Sequence, residues 1–562
     1  MPENTQACIE ILAEPNGFEF INITMGDLID AQALRFPLNE FIVEPSTGGR
    51  YSYEKFRDEC NSLARGLLSI GIKKGDHVAL LLRNSFEWIL IMFAVAKIGA
   101  ILVPVNIHLK KNELKYVLQQ SDAKAFFTMS NYKDNNYISY VQSICPELDV
   151  CETGSLKSRI LPKLEKIILV DEAQHPGCYN WNDLKSMADN TSAEDLIRIQ
   201  KSVHWNDIAF ILYTSGTTDN PKGAMHTHYA IINGVKMSSE KRNLSFQDRQ
   251  CLPLPLFHGL GSYIGVVGCL CKGTTIVLME TAHPVKVMDA LEKEKCTSIV
   301  GVPTMFINLC DHPNVGNYNF SSLRTGIIAG ALCPLDVMKK ISDLLHIPEL
   351  VCGYGLSEFA ACLTVSDTTT PYKKRMSTVG YCSPGSSIKI IDPETGKELP
   401  PGQVGELLAK GYHMMKGYYN MPEATNEVMT KDGWLKTGDL ASVDEDGYYQ
   451  IVGRKKDMII RGGENIAPRE IEDVITTLPG VKDAQVIGVP DEKYGEEIMA
   501  YITLVEGAKL SSEDVQNYVR NNLSSFKVPR YIHFIDQMPM TASGKVQKYV
   551  LRMMAFKELN IP

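Results

Sequence analysis

The chain lacks any apolar run long enough to cross a bilayer: its most apolar stretch, Trp88 to Ile101, is too short and carries Lys97, so it reads as a buried helix. No basic N-terminal region leads into an apolar run, which argues against a cleaved secretory signal, and Leu559-Asn560-Ile561-Pro562 matches no peroxisomal or retention tripeptide. A cytoplasmic protein is therefore the default expectation. There is no CxxC pair. The 14 cysteines stand mostly singly among apolar neighbours, as at Cys269, Cys296 and Cys352, which predicts reduced, buried thiols and no structural zinc site. Cys269-x-Cys271 reads as two residues on one strand face, and His226-x-His228 as loop and helix-start histidines, because no further Cys or His stands at metal-ligand spacing. Positive charge is in deficit: the net charge of -9 argues against a nucleic-acid surface, although basic residues from Arg454 to Arg461 and Lys527 to Arg530 could receive a phosphate-rich ligand. Internal repeats and low-complexity tracts are also absent.

What is present is a chain of 562 residues with 44% hydrophobic and 22% charged content, enough for several folding units with a large core. From Leu28 to about Ser130 amphipathic helices such as Tyr53 to Ile70 alternate with short apolar strands such as His77 to Leu82 and Ile101 to Val105, the pattern of an α/β layer fold. Between Ser130 and Asn206 the pattern weakens apart from Ile167 to Val170, and variable or mobile surface is expected. Alternation resumes with strands near Thr275 to Met279, Ser298 to Val302 and Thr325 to Ala329. Around Gly380 to Gly447 short strands and close turns predict a small β-rich subdomain. Beyond the break at Arg454 to Asp457, a helix at Arg469 to Thr477 and a strand at Ala484 to Val489 predict a separate α+β unit. The expected fold class is α/β, with a large N-terminal domain over residues 1–453 and a small C-terminal domain over 454–562.

The most informative stretch is Tyr213-Thr214-Ser215-Gly216-Thr217-Thr218-Asp219-Asn220-Pro221-Lys222-Gly223, a loop that leaves a predicted strand, Asp207 to Tyr213. Glycine lets backbone N–H groups approach an anion, the hydroxyls add donors, and Lys222 supplies a mobile positive charge, so the loop has the parts of a phosphate cradle. It is not a Walker loop, because the spacing from Gly216 to Lys222 is wrong and Gly223 stands where Ser or Thr should follow the lysine.

This loop resembles the signature of the adenylate-forming superfamily, which includes acyl-CoA synthetases, aryl-CoA ligases and luciferases. Further segments resemble that family's motifs in its own order: Pro255 to Gly259, Gly353-Tyr354-Gly355-Leu356-Ser357-Glu358, Thr437-Gly438-Asp439, Gly453-Arg454-Lys455-Lys456-Asp457 and Pro539 to Lys545. The resemblance runs from about Tyr51 to Lys545 and is strongest to fatty acyl-CoA synthetases.

The resemblance implies a two-step ligase that uses ATP, Mg2+ and CoA as co-substrate. Thr214, Ser215, Gly216, Thr217, Thr218 and Lys222 would hold the phosphates, and Glu358, with Thr218, the magnesium. Gly330 and Ala331, with Tyr354, Gly355 and Ser357, would surround the adenine, and Asp439 and Arg454 the ribose. Lys545 would bridge the carboxylate and the α-phosphate as the first step proceeds. A mobile C-terminal domain would then rotate about Lys456, withdraw that lysine and admit CoA past Gly462 and Gly463. His258 would gate the path between the acyl pocket and the thiol, with Tyr263, Val266, Val267 and the stretch Ala360 to Cys362 as candidate pocket walls.

Those apolar walls favour a medium- or long-chain fatty acid, with an aryl or alicyclic acid as the alternative. No carboxylate stands between Pro255 and Gly261 to receive an amino-acid ammonium. A non-catalytic nucleotide-binding relative would lose key charges, whereas Lys222, Glu358 and Lys545 are all present. Three residues depart from the family pattern: Asp219 replaces a glycine, Ser357 a threonine, and Ile460 stands where several relatives carry lysine. The expected partners are small molecules alone, and a homodimer is left open.

Overall fold

The computed structural model describes residues 11–13, 18–214, 221–330, 333, 335–461, 464–491, 493–541 and 545–559. Runs rich in β-branched and aliphatic residues form two large sheets, as residues that pack well on a pleated surface should. One has seven strands in the order Tyr179–Asn180, Lys166–Leu169, Ala125–Thr128, His77–Leu81, Ile101–Pro104, β1 (Ile208–Tyr213) and β2 (Gly223–Thr227). All its pairs are parallel except β1 with β2, which form an antiparallel hairpin. The other has nine strands, ordered Tyr381–Cys382, Thr364–Val365, β3 (Glu349–Tyr354), Thr325–Ile328, Ser298–Gly301, Arg249–Leu252, Thr275–Leu278, Glu40–Glu44 and Gly49–Ser52. The central strands of this sheet are parallel, and antiparallel strands close both edges.

One hydrophobic cluster runs through both sheets and the helices against them. Its centre is helix α1 (Phe86–Lys97), in which every residue but Glu87 is buried, as a helix apolar on all sides requires. A smaller antiparallel sheet, ordered Ser386–Ile391, Gly405–Gly411, β4 (Leu435–Val443) and β5 (Tyr449–Arg454), has its own cluster and forms the β-rich part read from the turn spacing.

From Ile459 onward a five-stranded sheet centres on β6 (Val481–Asp491) and β7 (Gly495–Leu504). Because side chains alternate across a strand, Val486, Ile498, Ala500 and Ile502 face one way and Ile487, Val489, Met499 and Tyr501 the other. Helix α4 (Pro468–Thr476) covers the first face through Ile471 and Ile475. Helix α5 (Lys548–Glu558) covers the second through Leu551 and Ala555. The whole is thus an α/β protein, a large N-terminal domain of sheets and helices followed by a smaller C-terminal domain.

Some local readings differ from the structure. The weakly patterned stretch between Ser130 and Asn206 supplies two strands of the seven-stranded sheet and helices at Tyr137–Ile144 and Ala193–Gln200. Cys269 and Cys271 lie on a short helix, α3 (Gly268–Lys272), that continues a π-helix at Leu260–Val267. A short apolar run has no periodicity that separates strand from helix, which is why the strand-face reading failed. All the cysteines among the described residues are free thiols. His226 lies within β2, whereas His228 begins the following helix, capped by the Thr227 hydroxyl.

At the end of α1 the side chain of Lys97 is fully buried, with Nζ 2.6 Å from Asp30 Oδ1 and 3.3 Å from Gln200 Oε1. Gln200 in turn donates to Asp27 and Asp30. Removing one partner strands a charge in low dielectric, so Asp30→Ala is expected to cost about 3 kcal/mol of stability. The pair Asp30→Ala/Lys97→Met is expected to recover most of that. Urea unfolding checks it, and a double variant no more stable than Asp30→Ala would contradict the account.

Candidate active site

The expected phosphate loop joins the two antiparallel strands β1 and β2. Tyr213 pairs with Gly223, and the Thr214 N–H donates to Lys222 O at 2.9 Å. A side chain at Gly223 would meet Ile211 Cγ2 at 2.6 Å, which explains glycine after the lysine. Ser215, Gly216, Thr217 and Thr218 lie outside the described residues, as do Asp219, Ala331, Gly462 and Gly463. Lys222 Nζ stands 5.7 Å from the centre of the Tyr418 ring.

β3 delivers Tyr354 and the turn that follows it. At Gly355 a Cβ would lie 2.7 Å from Ala361 O, so this turn admits only glycine without a shift. Gly330, at φ 86°, ends the neighbouring strand's turn. The Glu358 Oε1 accepts from the Tyr418 hydroxyl at 2.6 Å, and its backbone O accepts from Met415 N at 2.8 Å. The Ser357 carbonyl faces His226 Nε2 at 2.8 Å. The Tyr354 hydroxyl donates to Asp439 Oδ2 at 2.6 Å, and Arg454 Nε lies 2.9 Å from Asp439 Oδ1. Asp439 and Arg454 are direct partners across β4 and β5. Sequence reading placed these residues around adenine and ribose but did not foresee that the tyrosine and the arginine would both bind Asp439.

The charges of Arg454, Asp439 and Glu358 act on Lys545 of the C-terminal domain. It sits in a tight turn: Thr541 N–H donates to Lys545 O at 2.7 Å, and Lys545 N–H to Thr541 Oγ1 at 3.0 Å. Behind the turn, Lys548 Nζ lies 2.6 Å from Glu472 Oε1 and 3.0 Å from Val486 O, which fastens the start of α5 to the sheet. The Lys545 ammonium is held below its ordinary pKa by the crowding of the cleft and then by the charge of Arg454, with Asp439 and Glu358 acting the other way. Burial, then the charges of Lys545 and His108, push His258 down to about 4, so its ring is neutral near pH 7. Its Nε2 is buried without a partner among the described residues. Tyr263, Val266 and Val267 follow on the π-helix, all buried. The ring of Tyr263 packs edge-on against Phe210 and His226.

The segment around Lys456 is tethered on both sides. Arg454 is paired to Asp439, and Lys455 Nζ lies 2.8 Å from Glu406 Oε2, both in the β-rich sheet. Asp457 instead pairs with Arg552 of α5 at 3.0 Å. Lys456 is the residue between the two sets of anchors.

The family described as AMP-binding enzyme matches residues 29–419, and that described as AMP-binding enzyme C-terminal domain matches 470–545. The chain is 42% identical to a putative acyl-CoA synthetase, YngI, of Bacillus subtilis, over 97% of this chain and 99% of that one. It is 38% identical to the mitochondrial medium-chain acyl-CoA ligase ACSF2 of Danio rerio, over 96% and 89%. The ATP-bound structure of MatB from Rhodopseudomonas palustris superposes with a TM-score of 0.82 at 27% identity, over 96% of this chain and all of that one.

Four histidines of the N-terminal domain have low pKa values. Burial holds His226, His228 and His258 near 4 and His413 near 3. Their folded-state pKa values lie below the unfolded value, so the unfolded chain takes up protons first as pH falls. The stability they support is complete above about pH 6.5 and is lost as pH drops toward about 4, by up to about 1.4 kcal/mol per pH unit for each. His413→Phe is expected to reduce the slope of unfolding free energy against pH between 5 and 6.5 by about one proton. A slope equal to wild type would show that His413 is not neutral in the fold.

Proposed function

We propose, on the premise that this chain belongs to the AMP-binding enzyme family, that it activates a medium-chain fatty acid through the residues gathered around Lys545. The chain is an ATP-dependent acyl-CoA synthetase, with ATP and CoA as substrates. The acid is inferred from the apolar residues after His258 and from relatives named medium-chain acyl-CoA ligases. We divide the chain at 453/454, just before Lys456, across which the anchors change from Glu406 of the β-rich sheet, held by Lys455, to Arg552 of α5, held by Asp457. Among the described residues no helix is long and apolar enough to cross a membrane. The curated relatives include bacterial and mitochondrial enzymes, and a cytoplasmic enzyme remains our proposal, which cell fractionation would check.

The observation that carries the reading is the joining of Tyr354, Asp439 and Arg454, whose charges, with that of Glu358, act on the Lys545 ammonium. A carboxylate attacking a phosphate brings two anions together, and a positioned ammonium between them stabilises the charge that develops. In the first step the acid's oxygen bonds to the α-phosphorus and the bond to the β-phosphate oxygen breaks, releasing pyrophosphate. Lys222 would screen the phosphate oxygens during the exchange.

Glu358 fits a magnesium ion: it is tied to a neutral donor and has no ion-pair partner among the described residues. Magnesium takes one or two carboxylates and completes its shell with phosphates and water. Magnesium there would supply positive charge to the phosphates.

In the second step the CoA sulfur bonds to the acyl carbon, the thiol proton passes to water, and the bond from the acyl carbon to the phosphate oxygen breaks, releasing AMP. With a pKa near 4, the His258 ring is too weak a base to take a proton from a thiol of ordinary pKa near 8.5. That supports a gating and packing role for it. Rotation about Lys456 would withdraw Lys545 and open the thiol path.

Opposite lesions should separate the two steps. Lys545→Ala is expected to slow adenylation at least ~10²-fold, the scale for losing one transition-state donor, and to spare thioester formation from supplied acyl-adenylate. Lys456→Pro is expected to do the reverse, with adenylate accumulating, because proline fixes φ at the proposed pivot. Equal loss of both steps in Lys545→Ala would remove the assignment.

Pyrophosphate release over acids of graded chain length, with and without CoA, tests the substrate. Medium-chain acids should lead, and Val266→Phe should shift the optimum shorter, since overpacking costs roughly 1 to 3 kcal/mol, about five- to a hundredfold in selectivity. An unchanged profile would place the tail pocket elsewhere, and a preference for aryl acids would overturn the fatty-acid reading.

A further inference from the structure

Tyr418 went unnoticed in the sequence, yet it lies between the two charged groups to which the phosphates of ATP are assigned. The segment that carries it pairs with β2: Lys416 N–H donates to Met225 O at 2.9 Å, Met225 N–H to Gly417 O at 3.0 Å, and Tyr419 N–H to Gly223 O at 2.8 Å. The Tyr418 N–H is held by Thr425 Oγ1 at 2.9 Å. Gly417, at φ 126°, makes the bend in a conformation that other residues rarely adopt. Tyr418 is therefore a buried side chain fixed to the base of the phosphate loop by backbone bonds on both sides.

Its two chemical faces meet opposite charges. The hydroxyl donates to Glu358 Oε1 at 2.6 Å, and the ring lies under the Lys222 ammonium at 5.7 Å. A phenol is a neutral hydrogen-bond donor at neutral pH. A lysine and a glutamate this near one phosphate site would gain by pairing with each other, yet among the described residues no ion pair joins them. A tyrosine holds each without cancelling either: a neutral donor orders the carboxylate, and a π face orders the ammonium.

We propose that Tyr418 is a positioning residue for adenylation. Its hydroxyl fixes Glu358 so that the second carboxylate oxygen serves the magnesium of bound ATP, and its ring keeps Lys222 beside the same phosphates. The proposal rests on the roles given above to Glu358 and Lys222, and its test separates the two.

The test is calorimetric titration of the full-length protein with α,β-methylene-ATP, which cannot be cleaved at the reacting bond, in magnesium and in EDTA. Tyr418→Phe keeps the ring and loses only the hydroxyl. It is expected to bind the analogue as wild type does in EDTA and to lose roughly tenfold of the tightening that magnesium brings. The magnesium concentration for half-maximal pyrophosphate release should rise by a similar factor, while thioester formation from supplied acyl-adenylate stays unchanged. Tyr418→Leu removes the ring as well and is expected to weaken binding in EDTA too. Glu358→Gln is the control. If Glu358→Gln loses the magnesium effect and Tyr418→Phe does not, the positioning role is wrong while the metal role stands. If Glu358→Gln keeps it, both fall. Equal weakening of Tyr418→Phe in magnesium and EDTA would mark a merely structural residue and overturn the inference.

Discussion

The site depends on one ammonium from one domain reaching the carboxylates of another. The charges of Glu358 and Asp439 act on Lys545, and among the described residues no ion pair ties its ammonium to its own domain. What its own domain supplies is stiffness. Thr541 and Lys545 share two hydrogen bonds, and the buried Glu472 carboxylate, which also accepts the Val486 N–H, holds Lys548 just beyond. A long flexible side chain loses reach and precision if its base moves, so a rigid base is what allows a lysine to act across an interface. Such a contact can also be withdrawn intact, because the lysine is not bonded into the surface it visits.

The carboxylates that meet it share a design. Asp439 has one oxygen bound by the Tyr354 hydroxyl, and Glu358 has one bound by the Tyr418 hydroxyl, each at 2.6 Å. A buried carboxylate needs donors, and a cation would provide them at the expense of its negative charge. A tyrosine satisfies an oxygen and leaves that charge in place. Asp439 then accepts Arg454 as well, whereas Glu358 has no ion-pair partner among the described residues, as the proposed magnesium role requires.

Much of this was legible in the sequence, because the motif residues carry chemistry that stands out locally: a lysine after a run of hydroxyls and glycine, a glutamate after a glycine-tyrosine turn, a lysine in a Ser-Gly-Lys turn. Some strands of both large sheets were legible too, such as His77–Leu81, Ile101–Pro104, Thr275–Leu278, Ser298–Gly301 and Thr325–Ile328, since these apolar runs lie between polar turns. Tyr418 was not. Its partners Glu358 and Lys222 are far away in sequence, and its neighbours Gly417 and Tyr419 suggest only a turn. His226 was hidden for the same reason, its contact being the backbone of Ser357. The π-helix after His258 escaped because an uninterrupted apolar run has no readable period, and the same lack moved Cys269 and Cys271 from strand to helix. Pairing between distant segments leaves no mark at either one.

The neutrality of His258 follows from the same arrangement. Burial lowers its pKa first, and Lys545 is the next cause. In the rotation proposed here the lysine leaves, and with it one of the two positive charges acting on the ring, while burial of the ring by the large domain persists. The pKa therefore moves back toward the ordinary value only in part, and the ring stays uncharged at neutral pH in both arrangements. An imidazole that never charges can pack against acyl chain and thioester alike, and its unpaired Nε2 can accept a hydrogen bond without drawing a proton from the incoming thiol. A positive ring there would instead hold the adenylate's phosphate and oppose the release of AMP, so burying this histidine against a lysine that comes and goes serves both steps.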